Sequence, residues 1–248
     1  MPGPRCDVAR IGEAFQRLTR DPVGGGEARR GLRQIVAPER RVTGMAEPVR
    51  LPLPQVSGGI PLWEAIRARA SRRFYRVQAI ALSALSQLLW AGQGLRGTPE
   101  GPPYRTTPSG GRRYPVETYL SVHAVEGVEP GLYYHDVGPH ALVPIRFGDF
   151  RAETATAMHG QKVCANAAVV LIWTAVVERS TPVLGQRAYR YFYIEAGHIA
   201  QNVALSAVAL GLGSCQIGGF CDDALSDMLG LDREGEPPVY ATAVGMPK

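Results

Sequence analysis

The pattern of hydrophobic and polar positions changes along the 248-residue chain. From Pro61, apolar residues recur at helical spacing, and a second helical pattern covers Leu82 to Ala91 and stops at glycines. Later segments are shorter and rich in β-branched and aromatic residues. These segments predict five strands, over residues 119–124, 131–135, 142–146, 168–177 and 239–244. The fourth is almost continuously apolar, which predicts a strand covered on both faces.

A further helix is predicted from Glu195 to Leu210, and its apolar residues cover most of its circumference. Such a helix lies inside a protein or between two subunits. Its polar residues are His198, Gln201 and Asn202, which we expect to be satisfied by neighbouring backbone or by a partner helix. Gly211 is expected to end the helix in a left-handed conformation. Because helices and strands are mixed rather than alternating, the predicted fold class is α+β, a mostly antiparallel sheet with helices on both faces.

The first 60 residues differ from the rest in composition. They are rich in Gly, Pro and Arg, and residues 1–76 hold 15 Arg against 7 acidic residues. Apart from one short amphipathic piece, Val8 to Leu18, their apolar residues are too scattered to form a core. We therefore predict an extended basic arm over 1–60 and one domain over 61–248. The arm lacks the interleaved aromatic residues of a nucleic-acid site, so no nucleic-acid partner is expected.

Membrane and metal functions are not indicated. The longest apolar run, Ala167 to Val177, is well short of the roughly 20 residues of a membrane span. The N-terminus has no apolar core of a secretory signal, so a cytoplasmic location is expected. The four cysteines form no CxxC pair and have no matching histidine spacing, so reduced, mostly buried thiols and no metal site are predicted. They are Cys6, Cys164, Cys215 and Cys221.

Four glycines, at positions 211, 213, 218 and 219, follow the last helix. Their spacing is GxGxxxxG and a helix precedes them, whereas the Rossmann fingerprint needs GxGxxG after a strand, so NAD binding of that kind is rejected. Gly218 and Gly219, between Ile217 and Phe220, suit backbone pressed against a flat ligand edge. A simple loop is the alternative.

Two other stretches point to an anionic ligand. In RARASRRFYR, Arg69, Ser71 and Arg73 alternate, so an extended backbone would turn all three side chains the same way, as in a phosphate site. The alternative is a solvated basic surface. In TTPSGGRRYP, Ser109, two glycines and Arg112 form a turn that can approach a ligand closely, or an ordinary loop.

Taken in order, the three stretches resemble the FMN-dependent nitroreductase superfamily, and within it the SagB-type dehydrogenase branch that includes thiazoline and oxazoline oxidases. The matching segments are RARASRRFY, RTTPSGGRRYPVETYL and AYRYFYIEAGHIAQNVALSAVALGLGSCQIGGF. The resemblance covers residues 60–248 well and 8–20 loosely. It implies a nitroreductase-like fold and a homodimer, with the long helix in the dimer core and FMN at the interface.

The resemblance also implies roles for particular residues. Those for the FMN phosphate and ribityl chain are Arg69, Ala70, Ser71 and Arg73, with Lys248 as a further basic residue. Those that reach the flavin of the other subunit are Pro108, Ser109, Gly110 and Arg112. Those along the isoalloxazine are Gln216, Ile217, Gly218 and Gly219, with the last two amides near N5 and O4. Ala70 stands where the family has a second Arg, at a position where backbone contact matters most.

One departure concerns catalysis. Peptide azoline oxidases of this branch carry a Lys-Tyr pair as the catalytic base motif, where this chain has Val183-Leu184. Without a base, proton removal from an azoline carbon is hard to explain, and no catalytic residue is assigned. We expect an FMN oxidoreductase that passes two electrons through N5, acting on a modified peptide or natural-product intermediate. The alternatives are an NAD(P)H-dependent nitro or quinone reductase, or a flavin-binding module without turnover.

Overall fold

The computed structural model describes residues 11–20, 44–98 and 101–248. Much of the predicted arm, including Cys6, lies outside these ranges. The helices are α1 Ile11–Leu18, α2 Leu62–Ala68, α3 Leu82–Gln93, α4 Arg151–Ala157, α5 Lys162–Asn166, α6 Thr181–Leu184, α7 Ala188–Ala209 and α8 Asp222–Leu229. The strands are β1 Val49–Arg50, β2 Leu95–Thr98, β3 Gly101–Arg105, β4 Val116–Val122, β5 Gly131–Asp136, β6 Ala141–Phe147, β7 Val169–Ala175, β8 Gly213–Ile217 and β9 Pro238–Gly245.

Seven of these strands form one sheet in the order β1-β6-β5-β4-β7-β9-β8. Each neighbouring pair is antiparallel, and β2 and β3 form a separate hairpin. The expected antiparallel sheet is confirmed. All seven residues of β7 are buried, as its continuous apolar sequence predicts, because β4 and β9 flank it and helices cover both faces.

Alternate residues of β7 contribute to two hydrophobic clusters, one on each face of the sheet. Leu171 and Trp173 lie in the cluster that includes α3 and α7. Val170 and Ile172 lie in the opposite cluster, with residues of α4, α5 and α8. The period-two alternation of side chains along a strand is the reason that one apolar run supplies both cores. Helices on both faces, as predicted, are thus confirmed.

Helix α7 begins at Ala188, earlier than the predicted Glu195. The aromatic residues before Glu195 have weak helix propensity, but burial of Phe192 extends the helix. The opposite face is not covered within one chain, because Tyr193 is 56% exposed and Ile194 53%. Both residues precede the predicted span. Within it, most of the apolar residues from Ala196 to Ala207 are buried, as predicted, and His198 and Gln201 are exposed.

Of the three polar residues of α7 predicted to be satisfied, Asn202 has a backbone partner, whereas His198 and Gln201 are exposed. The prediction for Gly211 is confirmed. The Asn202 side-chain amide donates to the Ala91 carbonyl oxygen over 3.0 Å. Gly211 follows the helix with φ of 70°, and its amide donates to Val208 O over 3.0 Å. The Leu212 amide closes the turn on the Ala207 oxygen over 2.7 Å, which completes a Schellman motif.

Several short elements were not predicted. Strand β8 occupies the stretch expected to be a glycine loop, and Gly213 is its first, buried residue. Its sequence GSCQI has little β-branched character, so pairing with β9 rather than local propensity decides it. Helices α4, α5 and α8 have only five to eight residues, too few for a clear period. Of the described cysteines, Cys164 and Cys215 are buried, but Cys221 is exposed.

The described parts of the predicted arm contact the domain at two places. Strand β1 adds to the sheet edge, where Val49 pairs with Leu142 of β6. Helix α1 lies near the start of α7, because Arg190 Nη2 donates to Gln16 O over 2.6 Å and its Nε to Thr19 Oγ1 over 2.6 Å.

Candidate active site

The predicted phosphate-binding stretch leaves α2 as extended backbone beside the edge strand β8. Arg69 directly follows α2, with φ of −58° and ψ of 122°. Ser71 forms a parallel bridge with Ser214 of β8, and the Arg72 amide donates to the Ser214 oxygen over 2.8 Å. Arg69 and Ala70 are half-buried, whereas Ser71 and Arg73 are exposed, so the four residues differ in how accessible they are to a ligand.

The C-terminal tail lies along the next part of this segment. The Arg76 amide donates to Met246 O over 2.9 Å, and the Lys248 amide donates to Phe74 O over 3.1 Å. The backbone of Lys248 is therefore beside Phe74, the chain neighbour of Arg73. A third basic residue is brought close to the predicted phosphate-binding stretch, although 175 positions separate it from Arg73 in the sequence.

Two glycines permit the close approach of this segment to the sheet. A Cβ at Gly213 would lie 2.9 Å from Arg72 Cβ, and one at Gly245 would lie 2.9 Å from Tyr75 Cγ. Tyr75 is buried, and its hydroxyl donates to Ala243 O over 3.0 Å. This tyrosine anchors the segment and was missed by sequence reasoning, because its only signal is an aromatic residue among basic ones.

The second predicted stretch, Pro108–Arg112, lies against α7. The Gly110 amide donates to Glu195 Oε1 over 2.8 Å. A Cβ at Gly110 would lie 2.8 Å from Cδ1 of the Tyr191 ring, so the loop can come this close to α7 only with glycine here. Glu195 and Tyr191 are therefore the α7 residues that position the turn.

Positive φ angles occur at three residues of the same loop, 64° at Gly111, 56° at Arg112 and 47° at Tyr114. A left-handed conformation is uncommon for residues with side chains. The strained backbone is held by hydrogen bonds, because the Tyr114 amide donates to Ser109 Oγ over 2.8 Å and Arg179 Nη1 donates to Tyr114 O over 2.9 Å. Strain held in this way is common at ligand-binding sites.

The carboxyl of Glu195 is a buried titratable group beside this loop, with the residue only 5% exposed. Burial raises its pKa to about 7, whereas hydrogen bonds from the Gly110 amide and the Ser109 hydroxyl and the charge of Arg105 act to lower it. A perturbed carboxyl of this kind is typical of functional sites. Its sequence signal is weak, a single acidic residue at the edge of an apolar pattern.

The third predicted stretch ends in the exposed pair Gly218 and Gly219, after β8. Cβ atoms there would lie 3.6 Å from the Tyr240 ring and 3.6 Å from the His159 ring, which are ordinary contact distances. Neither residue has a positive φ, so neither packing nor conformation requires glycine. Among the described residues, neither amide N–H has an acceptor, and the buried Gln216 Nε2 has no partner. The pair presents unpaired donors on a surface without side chains.

The carbonyl of Gly219 is fixed, since Gln161 Nε2 donates to it over 2.9 Å. The first stretch pairs with β8 through Ser71, and the third stretch ends just after β8, so both lie at the same edge of the sheet. The second stretch lies on α7. The remaining predicted residues differ in accessibility, exposed for Pro108, half-buried for Ser109, Gly110, Arg112 and Gln216, and buried for Ile217. Cationic side chains and bare amides along one edge suit an anionic ligand with a flat polar rim.

Comparison with known proteins identifies the family. The sequence model of the Nitroreductase family matches residues 66–246. The chain belongs to the nitroreductase family. The matched residues include all three candidate stretches, and the protein has the nitroreductase-like α+β fold.

Individual relatives agree with this membership. MJ1384 of Methanocaldococcus jannaschii, which is named as a nitroreductase, is 36% identical over 204 residues, 81% of this chain and 98% of that protein. The trifolitoxin-processing protein TfxB of Rhizobium leguminosarum bv. trifolii is 29% identical over 145 residues, 56% of this chain and 39% of TfxB. The crystal structure of a Ralstonia eutropha protein described as a nitroreductase has a TM-score of 0.71 and 26% identity, and the match covers 88% of this chain and 96% of that one.

In this nitroreductase-family chain, Val183 and Leu184 form the end of α6 and are half-buried, with Leu184 packed against the main hydrophobic cluster. They offer no proton-transferring group. Over the described ranges, no set of three or more His, Cys, Asp or Glu side chains could bind a metal ion. Within the same ranges, no helix has the length and apolar character needed to cross a membrane.

Proposed function

We propose that the chain is an FMN-dependent oxidoreductase. The observation that carries this proposal is the exposed Gly218-Gly219 pair, whose amides have no acceptor among the described residues and which nothing inside the chain requires to be glycine. It lies at the sheet edge that also holds Arg69 to Arg73. FMN has the matching chemistry, an anionic phosphate for guanidinium groups and a flat ring edge with acceptors for amides. Membership of the nitroreductase family supports the same ligand.

The proposed contacts follow the sequence stretches. The phosphate and ribityl chain would be held by Arg69, the Ala70 backbone, Ser71, Arg73 and Lys248. The ring would lie along Gln216, Ile217, Gly218 and Gly219. A second copy of the chain would contribute Pro108, Ser109, Gly110 and Arg112. The unpaired buried Gln216 Nε2 is an available donor for such a ligand.

The bound cofactor would supply the transfer of two electrons as hydride through N5. The contribution of the chain is position and polarity. With FMN bound, the Gly218 and Gly219 N–H groups would donate toward the ring edge, and fixed donors of this kind stabilise negative charge that develops on reduction. We assign no protein acid or base.

We infer a homodimer, with the flavin between the subunits. Large apolar side chains on α2, after α2 and on α7 are exposed in the single chain. They are Leu62, Trp63, Ile66, Phe74, Val77, Tyr193 and Ile194. Helix α2 packs against α7, so its exposed residues adjoin those of the long helix. Exposed apolar surface on this scale is typical of an interaction site, and a second copy that buries it would also bring in the Pro108–Arg112 loop.

Two substrate classes fit the proposal. The similarity to TfxB, which is named for trifolitoxin processing, favours a modified peptide or natural-product intermediate. Val183-Leu184 in place of the Lys-Tyr pair argues against azoline dehydrogenation with a protein base. The similarity to MJ1384, which is named as a nitroreductase, favours the other class, a reductase of nitro compounds. For this class we propose NAD(P)H as the reductant and quinones as further acceptors. A flavin-binding module without turnover is the remaining alternative, and in each case we expect the protein to act in the cytoplasm.

The visible spectrum of the purified protein tests the cofactor. Two flavin absorption bands and release of FMN on denaturation, in fixed ratio to chains, support the proposal. A colourless protein that takes up no added FMN refutes it. With flavin present, NADPH turnover with nitro and quinone acceptors, compared with oxidation of a panel of modified peptides that includes azoline peptides, separates the two substrate classes. No turnover with any of them indicates the binding module, and light scattering tests the dimer.

A further inference from the structure

Glu195 has no part in the flavin contacts proposed above, yet it is tied closely to the loop that supplies some of them. Its carboxyl accepts hydrogen bonds from the Gly110 amide, over 2.8 Å, and from the Ser109 hydroxyl. Ser109 Oγ in turn accepts from the Tyr114 amide over 2.8 Å. The Glu195 carboxyl therefore holds Ser109 and Gly110 directly, and it holds Tyr114 through Ser109.

We propose that Glu195 is a positioning residue that fixes the Ser109-Gly110 turn for flavin binding, and that it does so as the carboxylate, so that FMN uptake expels its proton. This inference rests on the proposed function. In this role Glu195 does not touch the flavin and affects its binding only through the loop.

The donors around the carboxyl favour its ionised form. Both loop groups, the Gly110 N–H and the Ser109 O–H, donate to it, and a carboxylate accepts such bonds more strongly than a neutral acid does. The turn itself is strained, with positive φ at Arg112 and Tyr114. When the bonds to Glu195 weaken, this backbone is free to relax, and the loop loses the shape that the flavin would contact.

The surroundings of Glu195 leave both protonation states accessible near neutral pH. Burial opposes the charge and raises the pKa to about 7, and Arg105 of β3 favours the charge. On α7 itself, the Tyr191 ring packs against Gly110 and excludes a side chain there. The loop bonds to Glu195 are made in this structure, and their loss in a relaxed loop would raise the pKa further, so a ligand that selects the ordered loop favours loss of the proton.

The size of the coupling follows from linkage. The pKa of about 7 belongs to the ordered loop, because it includes the bonds from Gly110 and Ser109. If the pKa is about one unit higher when the loop is relaxed, FMN affinity rises about fivefold between pH 6 and pH 8, and about 0.4 proton leaves per FMN at pH 7. A shift of one unit corresponds to the difference between a charge-assisted and a neutral hydrogen bond.

The experiment compares the wild type with Glu195→Gln. The glutamine keeps an oxygen acceptor for the Gly110 amide but has no proton to lose. FMN affinity is measured by flavin fluorescence from pH 6 to pH 8, and proton release by calorimetry in buffers of different ionisation enthalpy. Titration of the FMN phosphate is common to both proteins and cancels in the comparison. We expect the additional fivefold rise and the extra proton in the wild type, and neither in the variant.

Equal pH profiles and equal proton release in the two proteins overturn the inference. A wild type that binds no FMN at any pH overturns the proposed function, and the inference with it, which distinguishes the two failures. Ser109→Ala provides a second test if the glutamine variant does not fold. Loss of the hydroxyl donor removes a bond to the carboxylate, so the midpoint of the pH profile moves to higher pH. An unchanged midpoint contradicts the role of Glu195.

Discussion

Replacement of Gly218 by valine separates a role in ligand binding from a role in folding. A Cβ at this position lies 3.6 Å from the Tyr240 ring, and the backbone has no positive φ, so the folded chain can accept a side chain here. The residue is exposed, and surface substitutions of this kind change the free energy of unfolding by about 0.5 kcal/mol or less. We therefore expect the apo-protein to remain almost as stable as the wild type.

Flavin binding should respond much more strongly. The valine side chain occupies the surface where the ring edge would approach, and it separates the ring from the two amide donors. Loss of two hydrogen bonds, at about 0.5–1.5 kcal/mol each, weakens binding by about 1–3 kcal/mol, or about fivefold to 150-fold in Kd.

The assay is a fluorescence titration of apo-protein with FMN, accompanied by urea unfolding of the apo-protein. Gly97→Val is the matched control, since Gly97 is exposed in β2, has nothing within 4 Å of its Cβ position and has no positive φ. We expect a large loss of affinity in Gly218→Val and none in Gly97→Val. Full flavin occupancy with unchanged affinity in Gly218→Val would refute the glycine-edge assignment.

The remaining predictions concern buried charge. Arg179 and Glu117 form an ion pair with side chains 6% and 2% exposed, so Arg179→Met should lower the free energy of unfolding by about 3–5 kcal/mol, measured in urea. Addition of Glu117→Gln to this variant should recover part of the lost free energy of unfolding. An Arg179→Met variant as stable as the wild type contradicts the reasoning. His123 is buried and its pKa is lowered to about 4 by burial. Below pH 6.5 the His123 imidazole binds a proton in the unfolded chain but stays neutral in the folded one. The contribution of His123 to the free energy of unfolding is therefore complete above pH 6.5. Between pH 6.5 and 4 it is lost by up to about 1.4 kcal/mol per pH unit. His123→Asn, which retains a donor for Ala167 O, should unfold with a weaker dependence on pH in this range, and an unchanged dependence contradicts this explanation.

Much of the fold could be predicted because its central elements have strong sequence periods. The buried strand predicted over 168–177 is found at Val169–Ala175, and Gly211 ends the long helix as expected. Strand β8 could not be predicted, because GSCQI has no alternating pattern and depends on β9 for its pairing. The early start of α7 was missed for the opposite reason, since burial of Phe192 overcomes the weak helix propensity of its aromatic neighbours.

The three candidate ligand-binding stretches could be recognised from local sequence, and so could membership of the nitroreductase family. Their glycines, hydroxyls and arginines are adjacent along the chain, and short-range spacing is sufficient to recognise them. The family model and MJ1384 agree with the family membership over most of the chain. Their contacts with FMN stay predictions until the cofactor is measured.

Only the tertiary structure determined how these stretches are supported. Contacts between residues far apart in sequence bring Lys248 beside Phe74, place Tyr75 against Gly245 and set Glu195 under the Gly110 turn. The raised pKa of Glu195 arises from burial, which depends on the packing of several elements at once and leaves no mark in the neighbouring sequence. The amino-acid sequence thus predicted the candidate ligand-binding residues, whereas the packed fold determined which side chains hold these stretches in position and raised the pKa of the carboxyl beneath the loop.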